Sequence, residues 1–339
     1  MTAVDVSVVM ATHAGARGLE ESLDSIFAQQ DVSFECLLVA DGPLDPLSEE
    51  LLERWQQREP QRLRLVRAPR GGLTRALILG CQQARATLIA RLDVGDAMTL
   101  ERLSSQVRWM AEHPGCVLLT SDVEVCGPAW EPLWLHRRSS PMQEPRRVDT
   151  VPAQQGIAID IPHHASVLFR AADCHAVGGY RQAFYFGQDW DLWYRLAGRG
   201  QFMHLPQTLT RVRLFSQGIS SRHWREQRAI ARLSLACHRA RCEGESEQPW
   251  LEQAAAIRPQ TMPRADQGLP RILGDGRRAD GAYFIAEALR RNRDRRCWGY
   301  FGEALRQGWW KPRLWIRALQ SLTLLGGRQS RITVRDVDG

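Results

Sequence analysis

Between Val6 and Asp93 the chain alternates short apolar runs with amphipathic stretches, and this alternation restricts the fold more than any other feature. Val6–Thr12, Phe34–Ala40, Leu63–Val66 and the run that ends at Asp93 read as buried strands, separated by turn formers such as Gly42-Pro43 and Gly71-Gly72. Leu19, Leu23, Ile26 and Phe27 recur at helical spacing, with Glu20, Glu21 and Asp24 on the opposite face. Further helices are predicted from Leu47 to Arg58 and from Leu73 to Ala84. Strands and helices in strict turn need crossover connections, so the expectation is an α/β chain with a mainly parallel sheet and helices on both faces.

In such a sheet the strand ends matter, because ligands bind outside the carboxyl edge. Ala90-Arg91-Leu92-Asp93-Val94-Gly95-Asp96 is an apolar run that stops abruptly at two carboxylates. Thr12-His13, Asp41 and Asp93 would share one edge, the geometry of a nucleotide pocket. The loop His13-Ala14-Gly15-Ala16-Arg17-Gly18 lacks the glycine spacing that brings a pyrophosphate against the backbone, and the chain has no P-loop. A diphosphate would then need a cation or basic side chains, which Asp93, Asp96 and Arg75 could supply.

A second acidic group, Gln188-Asp189-Trp190-Asp191, precedes the apolar stretch Leu192–Leu196. An acid in that position serves either as a helix cap or as a general base, and the residues alone leave both open. His164, just ahead of Val167-Leu168-Phe169, is likewise either structural or part of a site.

Six segments, in order, resemble the family 2 inverting glycosyltransferases of the GT-A fold: Val8–His13, Leu38–Leu44, Gly71–Leu77, Ile89–Asp96, His163–Arg170 and Gly187–Leu196. Together they cover residues 4–222. The resemblance implies a Rossmann-like GT-A sheet that binds a nucleotide-sugar donor, a UDP-sugar by the family's habit. It implies that Asp41 bonds the nucleobase, with Thr12 and His13 beside it, and that Arg75 and Asp93 contact the nucleoside or diphosphate. Asp189 takes the place of the general base, while His164, Trp190 and Asp191 fall on the acceptor side. Gly95 stands where the family's acid-x-acid motif puts a metal-binding carboxylate, so the implied divalent cation, Mn or Mg, would be held by Asp93 with Asp96. The implied acceptor is a hydroxyl group on a growing polysaccharide or a lipid-linked glycan.

The 339 residues accommodate a catalytic domain over 1–222 and a helical, Arg- and Trp-rich C-terminal extension over 223–339. Eight cysteines are scattered without a C-x-x-C pair, as expected of reduced thiols. No apolar run reaches membrane-spanning length and the N-terminal run is the first strand, so the expected location is cytoplasmic, peripheral to the inner face of the cell membrane. The net charge of +7 rests on 45 basic residues of which Lys311 alone is lysine, and no nucleic-acid-binding motif accompanies it. Trp309-Trp310-Lys311-Pro312-Arg313-Leu314-Trp315 mixes indoles with bases, a combination that suits either a lipid interface or a helical cap with buried tryptophans. Two other function classes stay open: a non-catalytic nucleotide-sugar-binding or assembly protein of the same fold, and a nucleotidyltransferase, which the loop after the first strand fits poorly.

Overall fold

The computed structural model describes residues 4–14, 17–137, 146–148, 162–215, 223–259, 276–324 and 333–336. The chain forms two compact units. The first joins Met1–Val123, Arg138–Val212 and Glu226–Arg258, and the second joins Glu124–Arg137, Arg213–Arg225 and Pro259–Gly339.

In the first unit, β1 (Val6–Thr12), α1 (Leu19–Phe27), β2 (Phe34–Asp41), α2 (Pro46–Arg58), β3 (Leu63–Ala68), α3 (Leu73–Gln83) and β4 (Leu88–Arg91) follow the predicted alternation. β1 lies between β2 and β4, parallel to both, with Thr12 opposite Ala40 and Val9 opposite Arg91. β3 continues the parallel set beyond β2. β5 (Ala97–Met98), α4 (Arg102–Glu112) and β6 (Cys116–Cys126) come next, and then β9 (Leu168–Arg170), which runs antiparallel between β4 and β6. α5 (Ala171–Ala176), α6 (Gln188–Leu196) and β10 (Gln201–Arg213) complete the sheet region, with β10 antiparallel to β5 and to β8 (Arg146–Val148). The sheet is therefore mixed, and its parallel part carries the strand ends of interest.

Alternation along each strand sorts the core into two layers. Val6, Val8 and Met10 of β1, with Cys36 and Leu38 of β2, pack against α1, α2 and α4 through Leu23, Ile26, Trp55 and Leu103. Val9, Leu37 and Ile89 face the other way, toward Leu77 of α3, Cys174 of α5 and Trp193 of α6. Local chemistry agrees with these boundaries. Asp45 caps α2 by accepting from the Ser48 backbone N–H at 3.1 Å, with Pro46 at the first turn where a missing N–H costs nothing.

α7 (Trp224–Glu243) and α8 (Gln248–Ala256) belong to the first unit rather than to a separate extension. The reason is apolar packing: Ile230, Cys237 and Ala254 are buried with Phe184 and Phe186.

The second unit contains β7 (Pro132–Arg137), α9 (Gly276–Arg291), α10 (Cys297–Gly308), α11 (Pro312–Leu324) and β11 (Thr333–Asp336), which is parallel to β7. Ala279 and Ala282 of α9 meet Ala304 of α10 and Leu314 of α11, small residues that let the helices approach closely. Asn292 donates to the carbonyls of Pro132 at 3.2 Å and Leu133 at 2.6 Å, and the Tyr300 hydroxyl donates to Glu131 at 2.7 Å. No helix among the described residues is long and apolar enough to cross a membrane.

Candidate active site

The two-residue period of β4 sets up the site. Ile89 points into the α6 layer, so Arg91 and, just past the strand, Asp93 continue on that side. From α6 comes Asp189, one residue into a helix whose N-cap is Gly187 at φ 55, with no side-chain cap bond. Asp189 is thus not a cap. Its carboxylate instead reaches the Arg91 guanidinium, where Oδ1 accepts from Nη1. The same guanidinium clamps Asp93, with Nε at 2.9 Å from Oδ1 and Nη2 at 3.0 Å from Oδ2.

Arg91 is only 2% exposed. A buried guanidinium is tolerated only when its charge is matched, and two carboxylates match it here. Burial alone would discharge it, yet the charges of Asp189 and Asp93 hold it well above its ordinary range. His164 closes the cluster from a short turn ahead of β9, with Nε2 at 3.3 Å from Asp93 and Nδ1 at 3.8 Å from Asp189. Burial and Arg91 push the imidazole toward its neutral form, but the carboxylates of Asp93 and Asp189 prevail and raise its pKa. Burial would likewise raise Asp93, and the positive charges of Arg91 and His164 overcome it to hold that carboxyl well below the usual range. Tyr180, buried beside them, has its hydroxyl driven well above the usual phenol range by burial and then by Asp189.

At the end of β2, Asp41 accepts from the backbone N–H groups of Gly71 at 2.6 Å and Gly72 at 3.0 Å, just ahead of α3. Gly72 sits at φ +86, and a Cβ there would come within 2.6 Å of the Tyr185 ring, so only glycine serves. Arg75 lies across Gly71, where its Cδ would be 2.4 Å from an added Cβ. Arg70 covers Gly42 in the same way at 3.1 Å. Both arginines are exposed and unburdened by burial. Thr12 is buried at the end of β1, and its hydroxyl has no hydrogen-bond partner among the described residues. His13 is exposed, with Nδ1 3.1 Å from the Ala14 carbonyl.

Asp191 does not belong to this cluster. It is fully buried between Arg181 and Arg195, accepting from Arg181 Nε at 2.9 Å and Arg195 Nη2 at 2.6 Å, so it holds α6 in place and offers nothing to an acceptor. Trp190 is partly exposed on α6.

The family described as Glycosyl transferase family 2 matches residues 7–175, which contain β1 through β9 and the Asp93 half of the cluster. The chain belongs to glycosyl transferase family 2. Curated relatives agree. It is 28% identical over 225 residues to the amylovoran biosynthesis glycosyltransferase AmsE of Erwinia amylovora, covering 64% of this chain and 80% of that one. It is 26% identical over 210 residues to an uncharacterized glycosyltransferase of Haemophilus influenzae, covering 60% and 73%. Among solved structures, S. aureus TarS superposes with a TM-score of 0.53 at 15% identity, covering 95% of this chain, which spans only 54% of that structure. GalNAc-T7, crystallised with UDP, GalNAc and Mn2+, gives 0.55 at 13% identity over 74% of this chain and 56% of that one. At such identities the two structures support the GT-A-like fold alone.

For a family 2 member the implied divalent cation would need open carboxylate oxygens. Asp93 has both of its oxygens engaged by Arg91, and Asp96 is buried. The turn at Gly95, with φ 102, is tied to α1: Ser22 Oγ accepts from the Gly95 N–H at 2.9 Å and donates to the Asp96 carbonyl at 2.8 Å. Burial pulls the pKa of Arg102 down to about 9, with the charge of Asp96 opposing that fall. Among the described residues no three His, Cys, Asp or Glu side chains gather as a metal site. Asp93 with Asp96 does not fit a divalent cation in this arrangement.

The sequence reading missed Arg91, Tyr180 and Arg70. A signal existed for Arg91: one charge inside an apolar strand has to be paired once that strand is buried. Nothing comparable marks Tyr180, whose place depends on tertiary packing.

Proposed function

We propose that this family 2 glycosyltransferase is an inverting enzyme that moves a sugar from a nucleotide-sugar donor, a UDP-sugar in first place, to a hydroxyl acceptor in polysaccharide or lipid-linked glycan synthesis at the inner face of the cell membrane. The observation that carries this reading is Arg91, which ties an acid at the donor edge of the sheet to an acid on the neighbouring helix.

Inverting transfer is a single displacement. The acceptor oxygen bonds to the anomeric carbon while the bond to the diphosphate breaks, and that electron pair leaves with the nucleoside diphosphate. The acceptor proton must go to a base on the side opposite the leaving group. Asp189 suits that role. Arg91 engages its Oδ1, which leaves Oδ2 toward His164 as the face that can receive a proton. Arg91 fixes the direction of the carboxylate, and orientation is a large contribution in a displacement of this kind. On the donor side, Thr12 has an unused hydroxyl, while Arg70 and Arg75 flank the Asp41 loop and can neutralise a diphosphate as exposed cations. Asp41 retains this loop, with its oxygens on the Gly71 and Gly72 amides. The name of the Erwinia relative supports a polysaccharide acceptor.

Calorimetric titration with UDP, GDP and TDP, each in Mn2+ and in EDTA, tests the donor half. We expect UDP to bind in both conditions, because the basic side chains serve the diphosphate. The base is tested with Asp189→Asn, assayed as nucleotide release from a panel of UDP-sugars with acceptor. Turnover should fall by roughly 10²–10⁴-fold with UDP binding unchanged. Binding of none of the three nucleotides under either condition would move the protein to the class of non-catalytic assembly factors.

A further inference from the structure

Among the described residues nine large apolar side chains are exposed, and five of them lie between Trp309 and Leu319. On α11, Trp315, Ile316 and Leu319 share one helical face and are 50%, 54% and 62% exposed. Another face of the same helix carries Leu314, packed against α9 and α10, and the buried Ala318. The helix therefore has two apolar faces, of which its own unit uses one. Trp309 and Trp310 adjoin the unused face: Trp315 Nε1 donates to the Trp309 carbonyl at 2.9 Å, and the Trp309 and Trp310 rings meet edge-on at 6.2 Å.

Charge identifies what this face meets. Residues 276–324 hold eleven basic and four acidic side chains, a net charge of +7 that equals the net charge of the whole chain. The rest of the protein is balanced at 34 of each sign. On α11 itself Arg313 and Arg317 are exposed along one edge of the apolar face, past Ile316, with the Arg313 side chain 58% exposed. Lys311 and Arg313 share the single carboxylate of Asp280, so that local pairing leaves a positive excess. Indoles and aliphatic side chains at the centre with cations at the border match an anionic lipid surface, where apolar groups enter below headgroup depth and bases meet phosphates. Nucleic acid has no use for exposed Ile316 and Leu319.

We propose that the α11 face, centred on Trp315, Ile316 and Leu319, is a docking surface for membranes rich in anionic phospholipid. The surface stands on exposure and charge alone, so it holds or fails separately from the glycosyl-transfer reading.

Vesicle co-sedimentation of the full chain tests it, using phosphatidylglycerol/phosphatidylcholine mixtures and pure phosphatidylcholine. The full chain should pellet with the anionic vesicles and not with the neutral ones. The double variant Ile316→Ser/Leu319→Ser should bind the anionic vesicles at least about tenfold more weakly, since two aliphatic insertions are removed. Arg313→Gln/Arg317→Gln should weaken binding and flatten its salt dependence. Circular dichroism melts establish that each variant is folded before it is scored. Equal pelleting of the double variant, or equal pelleting with neutral vesicles, overturns the proposal. So does a concentration-dependent dimer, seen by sedimentation velocity and abolished by the double variant, in a chain that ignores both vesicle types; that result assigns the face to a second copy.

Discussion

The β4–α6 cluster and the α11 face break the usual inside-outside rule in opposite directions. In the first, Arg91 and Asp189 are buried charges, held because each has an ionic partner. In the second, Trp315, Ile316 and Leu319 are large apolar side chains left half or more exposed, with the Trp315 indole N–H bonded to the Trp309 carbonyl. Burying an ion and exposing an indole both cost stability. On the two proposals made above, the first of these costs would serve chemistry and the second contact. The difference also says how each place should respond to mutation: the buried cluster through its interlocked charges, the exposed face hardly at all.

The most severe test of this contrast is Arg91→Met. It leaves Asp93 and Asp189 without their shared cation, and breaking a buried pair from one side costs about 3–5 kcal/mol. Urea unfolding should register that loss as a lower midpoint. Adding Asp189→Asn to Arg91→Met should recover part of it, because one uncompensated charge is then gone. If the two losses simply add, the residues are not coupled and Asp189 is held by something else.

Within α11 the comparison can be made on a single helix. Leu314→Ala removes a fully buried side chain from the contact with α9 and α10 and should cost roughly 2–5 kcal/mol by the same measurement. It should do so in the second unit without altering UDP binding.

A smaller effect is expected from pH, and its sign separates two members of the cluster. His164 has a raised pKa in the folded protein, so its contribution to stability is complete below the ordinary imidazole value and is lost as pH rises through the folded value. Asp93 is held low, so its contribution is present above about pH 4 and is lost as pH falls through its folded value. His164→Gln should therefore destabilise the protein at pH 6 more than at pH 9, as read by thermal melts across that range. A constant penalty would mean that His164 acts by packing and not by charge.

Much of this was legible in the sequence because it is periodic or terminal. The strands that lead to Thr12, Asp41 and, two residues past the end of β4, Asp93 announce themselves by apolar runs that stop at polar residues, and β1 to β4 appear where the alternation puts them. Helices also form in the tail where apolar residues recur at helical spacing, since that spacing is local information, while Thr333–Asp336 is a strand. What the sequence hid is set by contacts across long separations. Asp189 and Asp191 are two residues apart and chemically identical, yet one meets Arg91 and the other is enclosed by Arg181 and Arg195. Only the 3.6-residue helical turn, which sends the two side chains to different faces, separates their roles. Asp96 was similarly beyond reach: whether it joins Asp93 depends on how the chain turns at Gly95, and the Ser22 hydroxyl on α1 fixes that turn.

The smallest expected effect is also the sharpest. Leu319→Ser changes the same residue type as Leu314→Ala, five positions further along the same helix, but at a site that is 62% exposed. A substitution at an exposed position that supports no cap, pair or packing contact falls within about ±0.5 kcal/mol. We therefore expect urea midpoints for Leu319→Ser and the unaltered chain to coincide, while vesicle binding drops. If Leu319→Ser instead unfolds the protein as readily as Leu314→Ala, Leu319 is packed in solution, the face is covered by the chain itself, and the contrast between a cluster built for chemistry and a surface built for contact collapses to two cores.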